Sequence, residues 1–359
     1  MPMPKLSCFR MAVWPDPYRY FTPHLFKTMT IRRSFISLAV AASLLGPVLA
    51  IAQAAAPAAP ASTPPATQQA GFYRFSVGGV QVVALSDGTV PQDLHALLHL
   101  KPAQTDQLLA RGFLANPVEA SINAYLVYAG DRLVLVDTGA GAFFGPGAGG
   151  KLVASLKAVG VEPGQIQDVL ITHIHTDHSG GLVDAQGERV FPNATIHVGK
   201  ADVDFFLAPG NQQGVRGYDK AYFQQGTTAL GPYVKSGQVR PFTGAVEIVP
   251  GIRSRPTPGH TPGHAFFVLQ GKGGEALEFI GDILHVQAVQ MPRPDVTIVY
   301  DVVHHDAKAQ RKQQFARLAK ERRMVAAAHI PYPGVGYLRD EGKGKYAFVP
   351  VDYRYRAGE

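Results

Sequence analysis

Six consecutive residues, His173-Ile174-His175-Thr176-Asp177-His178, constrain this chain more than any other part of its sequence. They follow a short apolar run, residues 168–172, which is typical of a buried strand. Residues two apart in an extended chain face the same side, so His173, His175 and Asp177 converge while His178 points in a neighbouring direction. Four such side chains are too many for one tetrahedral metal ion, but they suit two ions. The chain must therefore bring further ligands to the end of this strand.

Three further candidate ligands occur later in the chain, each bordering a β-rich segment. They are His260 in Gly-His-Thr-Pro-Gly-His, Asp282 after Phe-Ile-Gly, and His329 after three alanines. Every candidate offers nitrogen or oxygen, which suits zinc best and also manganese, cobalt or iron. We therefore predict two divalent metal ions as cofactors, most commonly zinc.

The remaining histidines are interpreted as structural. His264, four residues after His260, is predicted to support a ligand or the core, because a single buried histidine is more often a hydrogen-bonded core residue. His285 is near enough in sequence to Asp282 to border the site. Asp306 is predicted to act at the start of a helix.

The charge of the chain argues against a nucleic-acid partner. The sequence carries 34 Lys and Arg against 27 Asp and Glu, for a formal net charge of +7. Six of the basic residues but only one acidic residue lie in the first 54 residues, which leaves the remainder close to neutral. A nucleic-acid-binding domain carries its basic excess on the folded part. The 46% hydrophobic content allows a large buried core.

The N-terminal region has the features of an export signal at about residues 29–54. Arg32-Arg33 precedes an apolar run that ends at Ala52-Gln53-Ala54, a pattern that a signal peptidase could cut. The alternative is a transmembrane anchor, but a Gly-Pro pair interrupts the run and alanine dominates it. The paired arginines resemble a twin-arginine signal, so we expect a periplasmic or secreted protein with no stable membrane anchor after processing.

This signal divides the chain into three parts. Residues 1–54 form an upstream extension plus the signal, and either Met1 or Met29 is the translation start. Residues 55–71 are rich in alanine and proline and are predicted to be an extended tether. Residues 72–359 are predicted to be one folded domain. The only cysteine, Cys8, lies in the part to be removed, so the mature chain would have no thiolate ligand and no cysteine nucleophile.

Within the folded part, hairpins come first and strands alternate with helices afterwards. Hairpins are predicted at residues 72–85, around Gly78-Gly79, and at residues 122–136. The later elements are helices at 151–159 and 307–323 and strands at 168–172, 195–198, 265–269, 277–280 and 324–328. This order favours an α/β fold with two packed sheets between outer helices, a four-layer arrangement.

The order of Thr-His-Ile-His-Thr-Asp-His, Gly-His-Thr-Pro-Gly-His, Gly-Asp and Ala-Ala-Ala-His resembles the metallo-β-lactamase superfamily. The chain is similar to its methyl parathion hydrolase-like branch over nearly all of the sequence after Phe72. The supporting segments include Leu85-Ser86-Asp87-Gly88, Val136-Asp137-Thr138-Gly139, Phe191-Pro192-Asn193-Ala194 and Pro232-Tyr233-Val234. The resemblance implies the αββα sandwich of that superfamily, with the site at one edge of the two sheets, and a homodimer.

The resemblance also implies a role for each site residue. It makes His173, His175 and His260 ligands of the first metal, Asp177, His178 and His329 ligands of the second, and Asp282 the bridge. Asp137 resembles a residue that orients ligands. An aromatic substrate pocket is implied as well, for which we name Phe144, Phe206 and Phe223. Phe206 stands where the parathion-hydrolysing members have a tryptophan.

These expectations describe a binuclear metal-dependent hydrolase of small-molecule esters. Two cations about 3.5 to 4 Å apart can share a hydroxide that attacks a carbonyl carbon or a phosphorus. Asp282 as the bridge and Asp177 as a proton shuttle are the candidate catalytic residues. We expect a lactone or aryl ester as the better substrate, with methyl parathion-type phosphotriester cleavage as a side activity.

Two other functions stay open: a primary organophosphate hydrolase, and a non-catalytic secreted metal-binding protein on the same fold. A true β-lactamase is disfavoured because those branches generally lack the bridging aspartate that Asp282 supplies. A glyoxalase-type thioesterase is disfavoured by the predicted export, and a nuclease by the near-neutral mature charge.

Replacing both Arg32 and Arg33 by lysine should trap the precursor inside the cell, because the twin-arginine route reads the paired arginines themselves. N-terminal sequencing of the exported wild-type protein should find a start near Ala55. Export of the double variant at the wild-type level would point to the general secretory route instead.

Overall fold

The structure is a computed structural model, and it describes residues 71–354. The upstream extension, the predicted export signal, Cys8 and the tether up to residue 70 lie outside the described residues.

One seven-stranded sheet is formed by the first half of the described chain, with its strands in sequence order. Strands one to four are antiparallel, and strands four to seven are parallel. They are β1 (Phe72–Val77), β2 (Val80–Gln92), β3 (Val118–Ala129), β4 (Arg132–Val136), β5 (Asp168–Ile171), β6 (Thr195–Gly199) and β7 (Val239–Phe242).

A second seven-stranded sheet is formed by the later part, again with neighbours in sequence order. All of its pairs are antiparallel except β11 with β12, between which the longest helix crosses over. Its strands are β8 (Glu247–Val249), β9 (Ile252–Pro256), β10 (Ala265–Gln270), β11 (Ala276–Phe279), β12 (Met324–Ala326), β13 (Val335–Gly342) and β14 (Lys345–Pro350).

Eight α-helices occur among residues 71–354, and the longer ones cover the outer faces of the sheets. They are α1 (Leu94–Leu97), α2 (Pro102–Ala110), α3 (Leu152–Ala158), α4 (Thr176–Ser179), α5 (Lys200–Phe206), α6 (Lys220–Lys235), α7 (Gln287–Gln290) and α8 (His304–Glu321). The apolar residues of α3, α5 and α6 pack on the first sheet, and Phe315 and Leu318 of α8 pack on the second. In this part of the chain, no helix is long and apolar enough to cross a membrane.

The side-chain alternation of β3 shows why the sheets stack. Ala124 and Leu126 face the helix layer, whereas Tyr125 and Val127 face the second sheet. A strand that is buried on both faces has a continuous apolar run in its sequence. Burial of each large apolar side chain stabilises the fold by about 1.5 to 3 kcal/mol. The predicted four-layer αββα sandwich is therefore confirmed.

Local predictions from the sequence held where the signals were strong. The first hairpin pairs Val77 with Val80 around Gly78 and Gly79, both at positive φ. The long helix is also present, as α8. Helix α6 was not predicted, because its interior contains two glycines and Pro232. Gly226 of α6 is required by packing: a Cβ there would lie 2.8 Å from Cγ2 of Ile174, between the two ligand histidines.

The candidate ligands all follow strands at one edge of the sandwich. His173 follows β5, Asp282 follows β11 and His329 follows β12, while His260 lies in the loop between β9 and β10. The first sheet thus supplies the His-x-His-x-Asp-His segment, and the second supplies the other three residues.

Asp87 anchors the loop that follows β4. Its carboxylate has no exposed surface and accepts hydrogen bonds from the backbone amides of Ala140 and Gly150, both at 2.9 Å, and of Leu152 at 2.8 Å. One buried side chain thus accepts hydrogen bonds from two amides of the loop and from the first amide of α3.

Replacing Asp87 by alanine should lower the free energy of unfolding by about 3 kcal/mol, because two buried amides and one partly buried amide lose their acceptor. Chemical denaturation followed by circular dichroism measures this change. Asp106→Ala is the control: its carboxylate is about half exposed and pairs with His95, so it should cost about 1 kcal/mol or less. Equal losses in the two variants would contradict the proposed anchor.

Candidate metal centre

Three histidines form the first donor cluster: His173, His175 and His260. The Nε2 atoms of His173 and His260 are 3.2 Å apart, and each lies 3.0 Å from Nδ1 of His175. Nitrogens about 2.0 to 2.1 Å from a tetrahedral zinc would be roughly 3.3 Å apart. The spacing of these nitrogens therefore matches three ligands of one ion.

The second donor cluster consists of Asp177, His178 and His329. The one-turn helix α4 begins directly after His175, so the expectation that Asp177 continues the extended chain and faces the same side as His173 and His175 is wrong. Asp177 instead groups with His178, whose ring lies 4.1 Å from that of His173. Nε2 of His329 lies 3.4 Å from an oxygen of Asp177, and Nε2 of His178 lies 3.7 Å from the other oxygen. Together with the first cluster, this grouping offers donors for two ions.

Asp282 lies between the two donor clusters. Its Oδ1 is 3.1 Å from Nε2 of both His178 and His329, in the second cluster. Its Oδ2 faces the first cluster, 3.4 Å from Nε2 of His260 and 3.7 Å from Nε2 of His173. Oδ2 also lies 3.3 Å from Nε2 of His329, so the carboxylate as a whole contacts both clusters, as a bridging ligand would.

Hydrogen bonds on the outer side of the rings set which nitrogen faces inward. Nδ1 of His178 donates to Asp137 at 2.8 Å, Nδ1 of His260 to Asp301 at 2.9 Å, and Nδ1 of His329 to the Ser121 carbonyl at 2.8 Å. His175 is turned the other way, with its Nε2 against the Tyr218 hydroxyl. Because the outer nitrogen of a neutral imidazole carries the proton, the inner nitrogen is left as an acceptor.

The residues fit a pair of divalent cations. Nε2 of His178 and Oδ1 of Asp282 are buried and lie 3.1 Å apart, yet neither forms a hydrogen bond, which is costly unless a cation binds there. Burial, together with neighbouring histidines, holds the pKa of His173 and of His175 well below the usual value, so both stay neutral, as ligands must be.

The carboxylates make the site attractive to positive charge. Burial opposes ionisation of Asp282, but the surrounding histidines outweigh it and hold its pKa well below the usual range. Burial also opposes a charged His260, yet Asp282 and Asp301 outweigh it and raise the pKa of His260 to about 9. Metal ions therefore compete with protons at this centre.

The structure places the other predicted residues around these clusters. His264 belongs to neither cluster: its Nε2 accepts from the Asp282 amide at 3.0 Å, and its Nδ1 bonds to Thr257. Burial lowers the pKa of His264 to about 3. Asp137 accepts from Thr172 as well as from His178, so it touches a ligand without being one.

The aromatic pocket residues need a correction. Phe206 and Phe223 have no exposed surface, so they cannot contact a substrate; they pack behind Tyr218, with ring centroids 6.3 and 5.8 Å away. Phe144 is only partly buried and has no described contact with the donor clusters. Tyr218 stacks on Tyr222 at 4.5 Å, in front of these phenylalanines.

Sequence reasoning did not identify Tyr218, Asp202 or Asp301. Asp202 accepts from the amides of Ile174 and Gly263 and from the Thr261 hydroxyl, which joins the two histidine-bearing loops. Burial raises the pKa of Asp202 to about 6, against the lowering effect of these bonds. None of the three lies in a recognisable motif, and no spacing in the sequence links them to the ligands.

Known proteins show the same fold and similar sequences. A crystal structure of the hydrolase AbOPH in the beta lactamase superfamily is 34% identical, with a TM-score of 0.74, and the match covers 80% of this chain and all of that one. The dizinc quorum-quenching lactonase AidC is 25% identical, with a TM-score of 0.71, over 80% of this chain and 99% of that one.

An N-acyl homoserine lactonase of Bacillus thuringiensis is 27% identical over 128 residues, 35% of this chain. The match covers only 42% of the length of that protein. An atrochrysone carboxyl ACP thioesterase of Passalora fulva is 28% identical over 45% of this chain and 38% of its own length.

The profile of the Metallo-beta-lactamase superfamily matches residues 118–329, which run from the start of β3 to the last candidate ligand and make up more than half of the chain. This match contains all seven donors and most strands of both sheets. The chain belongs to the metallo-beta-lactamase superfamily.

Proposed function

We propose that the protein is a binuclear metal-dependent hydrolase of small-molecule esters, and that it prefers lactones or aryl esters to phosphotriesters. The observation that carries this proposal is the position of Asp282, whose carboxylate lies between the two sets of donors and contacts both. The lactonases among the similar proteins support the lactone part of the proposal.

The side chains of the site hold and orient the reacting groups. When bound, two divalent cations would lower the pKa of a water toward about 7 and stabilise negative charge on a substrate oxygen. The buried acceptors Asp137 and Asp301 keep the rings of His178 and His260 in one tautomer and one orientation. Pre-set ligands of this kind need little reorganisation during the reaction.

Asp177 is placed to move a proton. Its side chain is 16% exposed, compared with 3% for Asp282, so it is the carboxylate of the site that solvent reaches more easily. One of its oxygens can take a proton at the reacting centre and return it to water.

The surface beside the first donor cluster favours flat, apolar substrates. Tyr218 and Tyr222 stack on one another, and the ring of Tyr300 lies 6.4 Å from that of Tyr222. His285 continues this surface, with Nε2 3.1 Å from Asp282 and neither ring nitrogen in a hydrogen bond. A planar ester with an apolar substituent can stack on the tyrosines and offer an oxygen to His285.

The purified mature protein should contain about two divalent transition-metal ions per chain, and removing them with a chelator should abolish hydrolysis. Without cations, Nε2 of His178 and Oδ1 of Asp282 form no hydrogen bond, although both are buried. Elemental analysis with activity before and after chelation measures both. One ion or none in fully active protein would contradict the binuclear proposal.

A matched pair of variants tests the bridge. Asp282→Ala should reduce kcat more than His264→Ala does. The first change removes the carboxylate between the clusters, whereas the second removes only the ring that accepts a hydrogen bond from the backbone amide of Asp282. Equal losses, with both variants folded, would mean that Asp282 has no special role.

The value of kcat/KM for phenyl acetate or a medium-chain N-acyl homoserine lactone should exceed that for methyl parathion. A tetrahedral phosphotriester presents a bulkier centre to the stacked tyrosines than a planar ester does. The comparison uses one preparation of metal-loaded enzyme. If kcat/KM for methyl parathion is tenfold higher than for the other substrates, a difference of about 1.4 kcal/mol in activation free energy, the enzyme is primarily an organophosphate hydrolase.

A further inference from the structure

We propose that Asp301 and Arg311, which lie outside the metal-ligand segments, act together as a positioning pair that fixes His260 for metal binding. This inference rests on the metal centre of the proposed function. It assigns to α8 a role in metal affinity in addition to its packing on the second sheet.

Asp301 reaches His260 from the segment that leads into α8. Its side chain has no exposed surface, and its Oδ1 accepts from Nδ1 of His260 at 2.9 Å. Its Oδ2 accepts from the amide of Ile298 at 3.1 Å, so the carboxylate cannot rotate freely. The geometry fixes the ring of His260 with Nε2 pointing at the donor cluster.

Arg311 completes the pair from the first half of α8. It is the largest side chain with essentially no exposed surface, at 1%, and its Nη2 lies 3.6 Å from Oδ2 of Asp301. Its other groups donate to the carbonyls of Ile283, at 2.7 Å, and Val296, at 2.6 Å. Because Ile283 follows Asp282, one guanidinium contacts both the loop of the bridging carboxylate and the acceptor of His260.

The loop of His260 does not need this side chain to stay in place. Val302 donates to the His260 carbonyl at 2.8 Å, and Val303 donates to the Gly259 carbonyl at 3.0 Å. A buried ion pair also adds little stability compared with apolar residues of the same volume. What the pair adds is the orientation and basicity of the His260 ring, which a backbone bond cannot supply.

A second carboxylate–arginine pair, in which the carboxylate is buried and the arginine of α8 is partly buried, provides the control. Glu278 of β11 is 1% exposed and accepts two bonds from Arg317, at 2.8 and 2.5 Å. Like Asp301 and Arg311, these residues pair a buried carboxylate with an arginine of α8. Unlike them, Glu278 has no described contact with any of the seven donors.

The experiment measures metal affinity rather than hydrolysis. The wild type, Asp301→Asn, Asp301→Ala, Arg311→Met, the double variant Asp301→Ala/Arg311→Met and Glu278→Gln are loaded with Zn²⁺. The two dissociation constants are then measured by competition with a chromophoric chelator. Visible spectra of the Co²⁺-loaded proteins report the ligand geometry, and the melting temperature of each metal-free protein reports the structural cost.

Both Asp301 variants should lose about 10- to 100-fold in affinity for one of the two ions and show altered Co²⁺ bands. In Asp301→Asn the shape is kept, but the charge is lost. Arg311→Met should weaken the binding of the same ion. The double variant should bind that ion with an affinity within about threefold of that of Asp301→Ala, because the two residues act as one unit. Glu278→Gln should lower the melting temperature but keep both affinities within about threefold.

Wild-type affinities and spectra in Asp301→Asn would overturn the inference, as would an equal loss of affinity in Glu278→Gln. In those cases the wild type would still hold two ions, so the proposed function would stand. A wild type that binds no divalent ion would overturn both.

Discussion

The close approach of donor nitrogens at the centre of the site is the constraint on which the rest of the structure depends. The inward nitrogens of His173, His175 and His260 lie 3.0 to 3.2 Å apart, so each pair of nitrogens needs a proton or a cation between its lone pairs. Apolar packing alone cannot hold such an arrangement, since buried polar groups are costly unless they have partners. Each ring must therefore be fixed from outside, by carboxylates, carbonyls or hydroxyls that take the outer proton.

The backbone is strained at the points where this fixing takes place. Asp137 adopts φ +57°, a left-handed conformation that is unfavourable for a residue with a side chain. Its hydrogen bonds with Thr172 and His178 compensate for that cost, because they anchor the residue to the ligand strand. Gly281 cannot carry a side chain for steric reasons, because a Cβ there would lie 2.7 Å from Nε2 of His264. The second sheet can thus bring Asp282 close to the first only with a glycine before it.

The sequence predicts those parts of the site that depend on local geometry. In the His-x-His-x-Asp-His segment, strand alternation brings His173 and His175 together as predicted. The helical turn that carries Asp177 and His178 was not predicted, because an extended chain was expected as far as Asp177. The four-layer order is predictable from hairpins followed by alternating elements. Asp301 and Tyr218 were missed because their contacts with His260 and His175 arise only from the packing of distant segments.

The prediction of the aromatic pocket residues was limited by the same lack of information about packing. An aromatic residue near the site is a sound expectation, but burial decides whether it meets substrate. Composition cannot distinguish Phe206, which is enclosed, from Tyr222, which is partly exposed, because both lie in apolar segments that pack on the first sheet.

The division of the donors between the two sheets means that bound ions would act as cross-links. His173 and His260 are 87 residues apart in the chain and belong to different sheets, yet they would share one ion. A link that closes so long a loop restricts the unfolded chain strongly, much as a disulfide does. Residues 71–354 contain no cysteine, so bound metal would be the cross-link that holds this edge of the sandwich closed. Loss of metal would then loosen that edge before the apolar layer between the sheets unfolds.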